Sequence, residues 1–171
     1  DLNANGMIEM GTPEFVGPDD ECILWTTPVG AGNGVPRALA IGVAPPDAFV
    51  GDVWVGLFNE RQACRLDPAT GATIACMPIN DFRPYGMVAD STGRIWTADR
   101  SGARRDVLGF IDPIAMTFTP VAAMPGSECA VPYGITVDGA GDVFMANQYN
   151  PSLWRYRHSS GEWTGIDAGG A

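Results

Sequence analysis

The first nine residues carry oxygen-bearing side chains at alternate positions, which is the ligand spacing of a calcium-binding loop. Asp1, Asn3 and Asn5 would supply side-chain oxygens. After a glycine that suits the sharp turn, Met7 would supply its backbone carbonyl and Glu9 a carboxylate. Such hard oxygen ligands favour Ca²⁺ over transition metals. A threonine stands where calcium loops carry their bidentate glutamate, so the pattern predicts weak calcium binding, and an ion-free loop is the alternative.

A second set of residues consists of arginines, tyrosines and short polar side chains. They lie in or beside stretches of the sequence that resemble each other. If one end of the fold collects them at the mouth of a channel, they form a ligand-binding rim. The alternative for the tyrosines is a structural role that each copy needs. Two similar stretches of the sequence end differently, in Asp99-Arg100 and in Asn147-Gln148, and this difference favours a site adapted to a ligand. The predicted rim consists of Arg37, Asp81, Arg83, Tyr85, Asp99, Arg100, Tyr133, Asn147, Gln148 and Tyr149.

The chain contains one histidine, His158, in a polar turn sequence before two serines. A lone histidine in such a turn is expected to be a solvated surface residue. The sequence contains no Gly-x-Ser-x-Gly, no phosphate-binding loop and no pair of histidines. We therefore predict no catalytic residue.

A repeat positions these candidates. Pro84 to Asp99 reads PYGMVADSTGRIWTAD, Pro132 to Asn147 reads PYGITVDGAGDVFMAN, and a looser copy begins at Pro36, so the three prolines are 48 residues apart. A fixed period of this size predicts a repeat architecture. Each copy consists of short alternating or apolar runs separated by turn residues, which predicts four antiparallel strands, the blade of a β-propeller. A β-sandwich is the alternative, but it does not require the period.

The predicted fold class is therefore all-β, a β-propeller fragment of about three four-stranded blades plus part of a preceding blade. Residues 1–34 would hold the calcium-loop-like segment and the outer strand of the incomplete blade, with Ile23 to Pro28 as that strand. The blades would span 35–80, 81–128 and 129–171, without a helix. Such a fragment cannot close a ring, so we expect missing blades of the same protein or another chain to complete it.

Cys64 and Cys76 lie at the same end of the predicted third and fourth strands of one blade. Their cross-strand distance suits a disulfide, and two reduced thiols are the alternative. Cys22 and Cys129 have no predicted partner. A bridge implies an oxidising compartment, so the expected location is extracellular, cell-surface or periplasmic.

Acidic residues outnumber basic ones by 20 to 10, which gives a net charge of −10. This charge disfavours nucleic acid and anionic membranes as partners, because both attract a cationic surface. No apolar run reaches membrane-spanning length. A small molecule, a glycan or a protein remains as the expected partner.

The pattern Pro-Tyr-Gly-x-x-x-Asp-x-x-Gly-x-Ile-Trp-x-Ala-Asp and the sequence Arg-Leu-Asp-Pro-x-Thr-Gly from Arg65 to Gly71 resemble repeats of streptogramin (virginiamycin B) lyase-like and NHL-type propellers. Gluconolactonase-like propellers share the same kind of unit. The resemblance covers about residues 35 to 167. It implies a bacterial propeller, and for the lyases a Mg²⁺-assisted opening of a cyclic depsipeptide lactone by His and Glu residues. The matching strands end at Asp99 and Asn147 without such residues, so no catalytic position carries over.

We therefore expect a secreted or surface β-propeller module that binds a ligand or protein partner at its channel-mouth rim. An incomplete metal-dependent enzyme, streptogramin lyase-like or gluconolactonase-like, is the alternative. A purely structural propeller segment is the third reading.

Overall fold

The computed structural model describes residues 23–42, 51–101, 107–121, 124–125, 131–148 and 153–166, and these form strands without any helix. Within these ranges no helix is present that could cross a membrane. The strands are β1 (Pro36–Ile41), β2 (Val53–Leu57), β3 (Gln62–Leu66), β4 (Thr73–Pro78), β5 (Pro84–Ala89), β6 (Ile95–Asp99), β7 (Leu108–Asp112), β8 (Thr117–Pro120), β9 (Pro132–Val137), β10 (Val143–Asn147), β11 (Leu153–Arg157) and β12 (Glu162–Ile166).

Consecutive strands form three antiparallel sheets of four strands each. We call β1–β4 blade 1, β5–β8 blade 2 and β9–β12 blade 3. The first strand of blade 2 contacts the first strands of both neighbours, so β1, β5 and β9 lie side by side. The all-β propeller fold with four-stranded blades is confirmed.

Neighbouring blades approach closely at their first strands. A Cβ on Gly56 of β2 would lie 2.7 Å from the Cβ of Pro84 and 2.8 Å from the Cβ of Ala38. A Cβ on Gly86 of β5 would lie 2.9 Å from Cγ2 of Ile135 in β9. These two glycines therefore allow one blade to pack closely against the next near the first strands.

Most of the described core lies between blades. Trp54 and Phe82 are fully buried in the cluster between blades 1 and 2. Trp96 is fully buried between blades 2 and 3, with its ring centroid 6.0 Å from that of Tyr156. Burying one such side chain contributes about 1.5–3 kcal/mol, so blade-to-blade packing is a large source of stability.

The turn between the first two strands of a blade repeats the chemistry expected from its sequence. In blade 2, Oδ1 of Asp90 accepts hydrogen bonds from the backbone N–H groups of Thr92 at 2.8 Å and Arg94 at 3.1 Å. Gly93 has φ of 94°, a conformation in which a side chain is strained. Asp138 of blade 3 accepts the equivalent bond from Asp142 at 3.0 Å.

The predicted disulfide is present. Cys64 and Cys76 face each other in the β3–β4 register, and their sulfurs are 2.07 Å apart. Cys64 is completely buried in blade 1. Cys22 and Cys129 lie outside the described residues.

Residues 23–35 do not form the outer strand expected over Ile23 to Pro28. No described strand pairs with this segment, and a strand requires such a partner. Instead, Trp25 and Val29 pack against an apolar cluster of blade 1, and the indole N–H of Trp25 donates to the carbonyl of Pro68 at 2.9 Å. The segment therefore contacts blade 1 through side chains rather than through a sheet.

Candidate functional site

Three rim residues occupy the same backbone irregularity in successive blades. Arg37, Tyr85 and Tyr133 are each the second residue of the first strand, where the pairing with the second strand shifts by one residue. Such β-bulges redirect the side chain of the extra residue. Blade 1 has an arginine where blades 2 and 3 have tyrosines, so the bulge does not require a tyrosine.

The bulged side chains contact each other across the blade boundaries. Nη1 of Arg37 donates to the hydroxyl of Tyr85 at 3.1 Å, between residues 48 positions apart. The rings of Tyr85 and Tyr133 have centroids 5.2 Å apart with an interplanar angle of 60°. The first strands therefore present a continuous row of one guanidinium and two phenols.

A second row comes from the residue directly after the second strand of each blade, which is Phe58, Arg100 or Gln148. The backbone N–H of each donates to the carbonyl of the residue before the first strand of its own blade, at 3.1, 3.1 and 3.0 Å respectively. This bond holds the second row beside the bulges.

Arg100 lies between two tyrosines. Its guanidinium carbon is 4.4 Å from the ring centroid of Tyr85 and 4.4 Å from that of Tyr133. Its Nη2 donates to Oε1 of Gln148, the equivalent residue of the next blade, at 3.2 Å. These cation–π contacts hold the guanidinium in a fixed position.

Phe58 has the equivalent place one blade earlier. Its ring centroid is 6.0 Å from that of Tyr85, in an edge-to-face arrangement. The guanidinium carbons of Arg37 and Arg83 are 5.3 and 5.5 Å from the Phe58 centroid. We call Arg37, Phe58, Arg83, Tyr85, Arg100, Tyr133 and Gln148 the cationic–aromatic rim.

Sequence reasoning missed Phe58 because it counted positions by a constant period. β1 begins 48 residues before β5, but β2 begins 42 residues before β6, since blade 1 has six extra residues between its first two strands. Counting from the second strand instead aligns Phe58 with Arg100. Residues 43–48 of the sequence have no counterpart in the other two copies, and this is the signal that reveals the shift.

Asp99 and Asn147 form equivalent structural bonds. Oδ1 of Asp99 accepts from the backbone N–H of Arg83 at 2.6 Å and of Ser101 at 3.2 Å. Oδ1 of Asn147 accepts from the backbone N–H of Val131 at 2.7 Å. The side chains differ, yet both fix the loop that enters the first strand, and Asp99 is 1% exposed. Their difference is thus compatible with a shared scaffold contact.

The two remaining predicted rim residues are Asp81 and Tyr149. Asp81 forms an ion pair with Arg61 at 2.8 Å, and both side chains are exposed. Tyr149 lies outside the described residues, as do the predicted calcium ligands Asp1, Asn3, Asn5, Met7 and Glu9. Among the described residues, no group of three or more His, Cys, Asp or Glu side chains is placed to hold a metal ion.

The rim arginines differ from the other described arginines in their partners. In the described part of the chain, the ion pairs of arginines with carboxylates involve Arg61, Arg65, Arg94, Arg155 and Arg157. Arg94 also contacts the ring of Phe110, whereas Arg37, Arg83 and Arg100 have their guanidinium groups on aromatic rings with no ion pair to a described carboxylate. The rim is therefore locally cationic in a chain of net charge −10.

This environment lowers the pKa of the Tyr85 phenol. The largest cause is its hydrogen bond with Tyr133, which favours the phenolate. Partial burial opposes this effect, whereas the hydrogen bond from Arg37 and the positive charges of Arg100 and Arg37 lower the pKa further. The pKa of this phenol therefore reports first on its contact with Tyr133 and only then on the positive charge of the two arginines.

His158 is not the solvated turn residue that its sequence suggested. It lies in the turn after β11, at the end of the blades opposite the rim, and is half-buried. Its ring centroid is 5.3 Å from that of Trp96 and 6.1 Å from that of Phe110, both in blade 2. Its role in the structure is therefore blade-to-blade packing.

No protein-family model and no curated protein matches the chain. A streptogramin B lyase structure superposes with a TM-score of 0.66 at 18% identity, over 83% of this chain and 43% of that one. An inactive variant of virginiamycin B lyase from Staphylococcus aureus with quinupristin gives a TM-score of 0.66 at 18% identity, over 84% and 44%. YCF48 bound to D1 peptide gives 0.59 at 14% identity, over 82% and 41%.

These similarities define the class of protein. The chain has a β-propeller fold like that of the streptogramin B lyases, and it spans less than half the length of these solved structures. Identities this low define the fold and leave the activity to the residues of the site.

Proposed function

We propose that the chain is a ligand-binding β-propeller module that binds a peptide-like ligand or protein partner at the cationic–aromatic rim. The observation that carries this proposal is the position of Arg100 between Tyr85 and Tyr133, two equivalent residues of neighbouring blades. Because equivalent residues of neighbouring blades lie close together here, a ligand bound at this position can contact more than one blade.

The exposure and composition of the rim support this function. Tyr133 is 55% exposed although it stacks against Arg100 and Tyr85. Tyrosine and arginine carry much of the binding energy at protein interfaces, because they offer large rigid surfaces with polar groups. Two of the structural neighbours were solved with a peptide or with quinupristin, so propellers of this fold do bind such ligands.

A panning experiment tests the proposal. A phage-displayed random peptide library is selected on the immobilised 171-residue chain, and the selected peptides are then measured against variants. We expect Tyr133→Ala and Arg100→Ala to weaken binding at least tenfold, the effect of losing about 1.4 kcal/mol. Arg157→Ala, which removes the same charge at the opposite end of the blades, should leave binding unchanged. Selected peptides whose affinity is unchanged by both rim substitutions would overturn the proposal.

A lyase is the second candidate, because streptogramin B lyases are among the structural neighbours. It is tested by incubating the chain with a streptogramin B depsipeptide and Mg²⁺, followed by chromatography of the linear product. The binding-module proposal expects no opening above the Mg²⁺-only control. Protein-dependent opening that survives Arg100→Ala and Tyr133→Ala would place an enzyme elsewhere on the chain.

We further propose that additional blades, from the same protein or another chain, cover the outer face of blade 1. Leu39, Ile41 and Ile74 are 60, 45 and 48% exposed there. An apolar groove of about 360 Å³ lined by Trp25 and Val29 runs beside them. Exposed apolar side chains of this density favour a partner. Sedimentation velocity should show concentration-dependent association that Leu39→Glu weakens, and a strictly monomeric chain would contradict self-association.

An oxidising compartment and calcium complete the proposal. The Cys64–Cys76 bridge supports an extracellular, cell-surface or periplasmic location, because cytosolic reductants oppose such bonds. Thiol alkylation of protein taken from its native cells tests this location.

For calcium, calorimetric titration should show binding heat that Asp1→Ala removes, and heat that persists in this variant would exclude the first-loop site.

A further inference from the structure

We infer that the ligand of the rim carries a carboxylate, which binds the free N–H edges of Arg37 and Arg100. This inference rests on the proposed function and specifies the class of its ligand. Its basis is the difference between the rim arginines and the five described arginines that pair with carboxylates of the chain itself.

The guanidinium groups of Arg37 and Arg100 are held in place, and among the described residues no carboxylate forms an ion pair with either of them. Arg37 uses Nη1 for Tyr85, and Arg100 uses Nη2 for Gln148. A guanidinium has five N–H donors, so further donors remain on each side chain for an acceptor outside the chain. The nearest carboxylate in sequence, Asp99, is buried and accepts bonds from the Arg83 backbone and Ser101. The rim is thus preorganised for an external anion.

The same geometry argues against a cationic ligand. Aromatic cages bind quaternary ammonium groups on open ring faces. Here guanidinium groups already stack on Phe58, Tyr85 and Tyr133. An incoming cation would meet these like charges, whereas an anion would be attracted to them.

The charge of the whole chain argues against a polyanion. A net charge of −10 repels nucleic acids and anionic membranes over long distances. A ligand with one or two carboxylates experiences mainly the local positive charge, since salt screens exposed charges beyond about 8–10 Å. The exposed ring of Tyr133 offers a surface for an apolar or planar group next to the carboxylate.

The test compares benzoate with benzamide, which has nearly the same shape but no charge, by calorimetry on the 171-residue chain. We expect benzoate to bind and benzamide to bind at least tenfold more weakly. Arg37→Gln and Arg100→Gln should each reduce benzoate affinity about tenfold, and Arg157→Gln should not. Arg100→Lys keeps the charge without the planar fork, so it should restore part of the loss. Benzoate should also raise the pKa of Tyr85, a change that a merely structural role of the arginines does not predict.

Peptide-like probes distinguish a terminal carboxylate from a side-chain carboxylate. N-acetylphenylalanine offers a terminal carboxylate, and N-acetylglutamic acid amide offers a side-chain carboxylate. Preference for either over its fully amidated form supports the inference and identifies the source. If neutral peptides bind and Tyr133→Ala abolishes their binding, the proposed function stands and the carboxylate inference is wrong. If no charged or neutral probe binds the rim, both are wrong.

Discussion

Tyr85 and Tyr133 occupy the same bulge in adjoining blades, 48 residues apart in the chain, with ring centroids separated by 5.2 Å. The guanidinium carbon of Arg100 lies 4.4 Å from each centroid. One arginine therefore joins two blades through equivalent residues. The repeat that builds the fold thus also builds the candidate site.

The first prediction concerns the ionisation of Tyr85. Its pKa is lowered by Tyr133 and by the two arginines, so Tyr133→Phe should move it back towards the ordinary value of about 10. Burial raises the pKa of Tyr156, which should therefore titrate later and serve as an internal reference. Ultraviolet titration of the phenolates measures both transitions. A Tyr85 transition that is identical in the wild type and Tyr133→Phe would contradict the hydrogen-bonded pair.

The lowered pKa of Tyr85 also has a defined consequence for stability. Because the folded state favours the phenolate, this contribution is fully present above the unfolded pKa of about 10 and is lost as pH falls through the folded pKa. The advantage of the wild type over Tyr85→Phe should therefore grow between these two values as pH rises. Denaturant unfolding across the alkaline range measures this difference. A stability difference that shrinks there would have the wrong sign.

The second prediction concerns Asp99 as a scaffold residue. Asp99→Ala leaves the partly buried backbone N–H of Arg83 without its acceptor, so it should cost about 1–3 kcal/mol in the free energy of unfolding. Asp99→Asn should cost less, because blade 3 makes the equivalent bond with Asn147. Urea unfolding measures both variants. Equal losses for alanine and asparagine would argue against the shared contact.

The third prediction concerns the buried carboxylate of Asp90. Burial acts to raise its pKa, but hydrogen bonds from Thr92, Trp96 and the Arg94 backbone outweigh burial and lower it. Asp90→Ala should cost at least about 1.5–3 kcal/mol near neutral pH. Because the folded pKa is depressed, this loss is full above the ordinary value of about 3.9 and fades as pH falls through the folded pKa.

Asp138 provides the matched control for Asp90. It makes the same turn in blade 3, but it is exposed, and a phenylalanine replaces the tryptophan donor there. Asp138→Ala should therefore destabilise the protein clearly less than Asp90→Ala in the same acid series. Equal losses would mean that the Trp96 bond of 2.8 Å adds nothing.

The fourth prediction concerns the disulfide. The bridge closes a loop with a sequence separation of 12, which corresponds to about 3 kcal/mol of stabilisation in the chain-entropy model. Reduction should lower the free energy of unfolding by about this amount, measured by denaturant unfolding with and without reductant. The Cys64→Ala, Cys76→Ala double variant should be insensitive to reductant. A wild type whose stability does not respond to reductant would show that the bridge contributes little.

The sequence predicted the architecture because one physical pattern specifies it repeatedly. The first strands recur every 48 residues, and each is followed by turn residues and further short strands, so the blades, the Asp90 turn and the register of Cys64 with Cys76 followed from the pattern. Side-chain partners did not follow, since they depend on packing between blades. Six extra residues in blade 1 shift Phe58 out of the 48-residue alignment. The contact of His158 with Trp96 joins two blades, so the local sequence of the turn does not show it.

Two further expectations depended on information that local sequence does not contain. The strand expected over Ile23 to Pro28 has the right residues, but strand formation requires a neighbour to pair with. The contrast between Asp99 and Asn147 suggested tailored chemistry, but a carboxylate and an amide oxygen accept the same backbone bond. Composition identifies a polar residue, and only its partner identifies its role.

The most direct measurement is a benzoate titration of the chain with isotope-labelled tyrosine rings, followed by nuclear magnetic resonance. Tyr85 and Tyr133 belong to the rim, whereas Tyr156 is buried between blades 2 and 3 and serves as the internal control. We expect the Tyr85 and Tyr133 signals to shift together with one affinity while Tyr156 stays unchanged. Rim signals that do not move at any benzoate concentration, or that move no more than Tyr156, would contradict carboxylate binding at the rim.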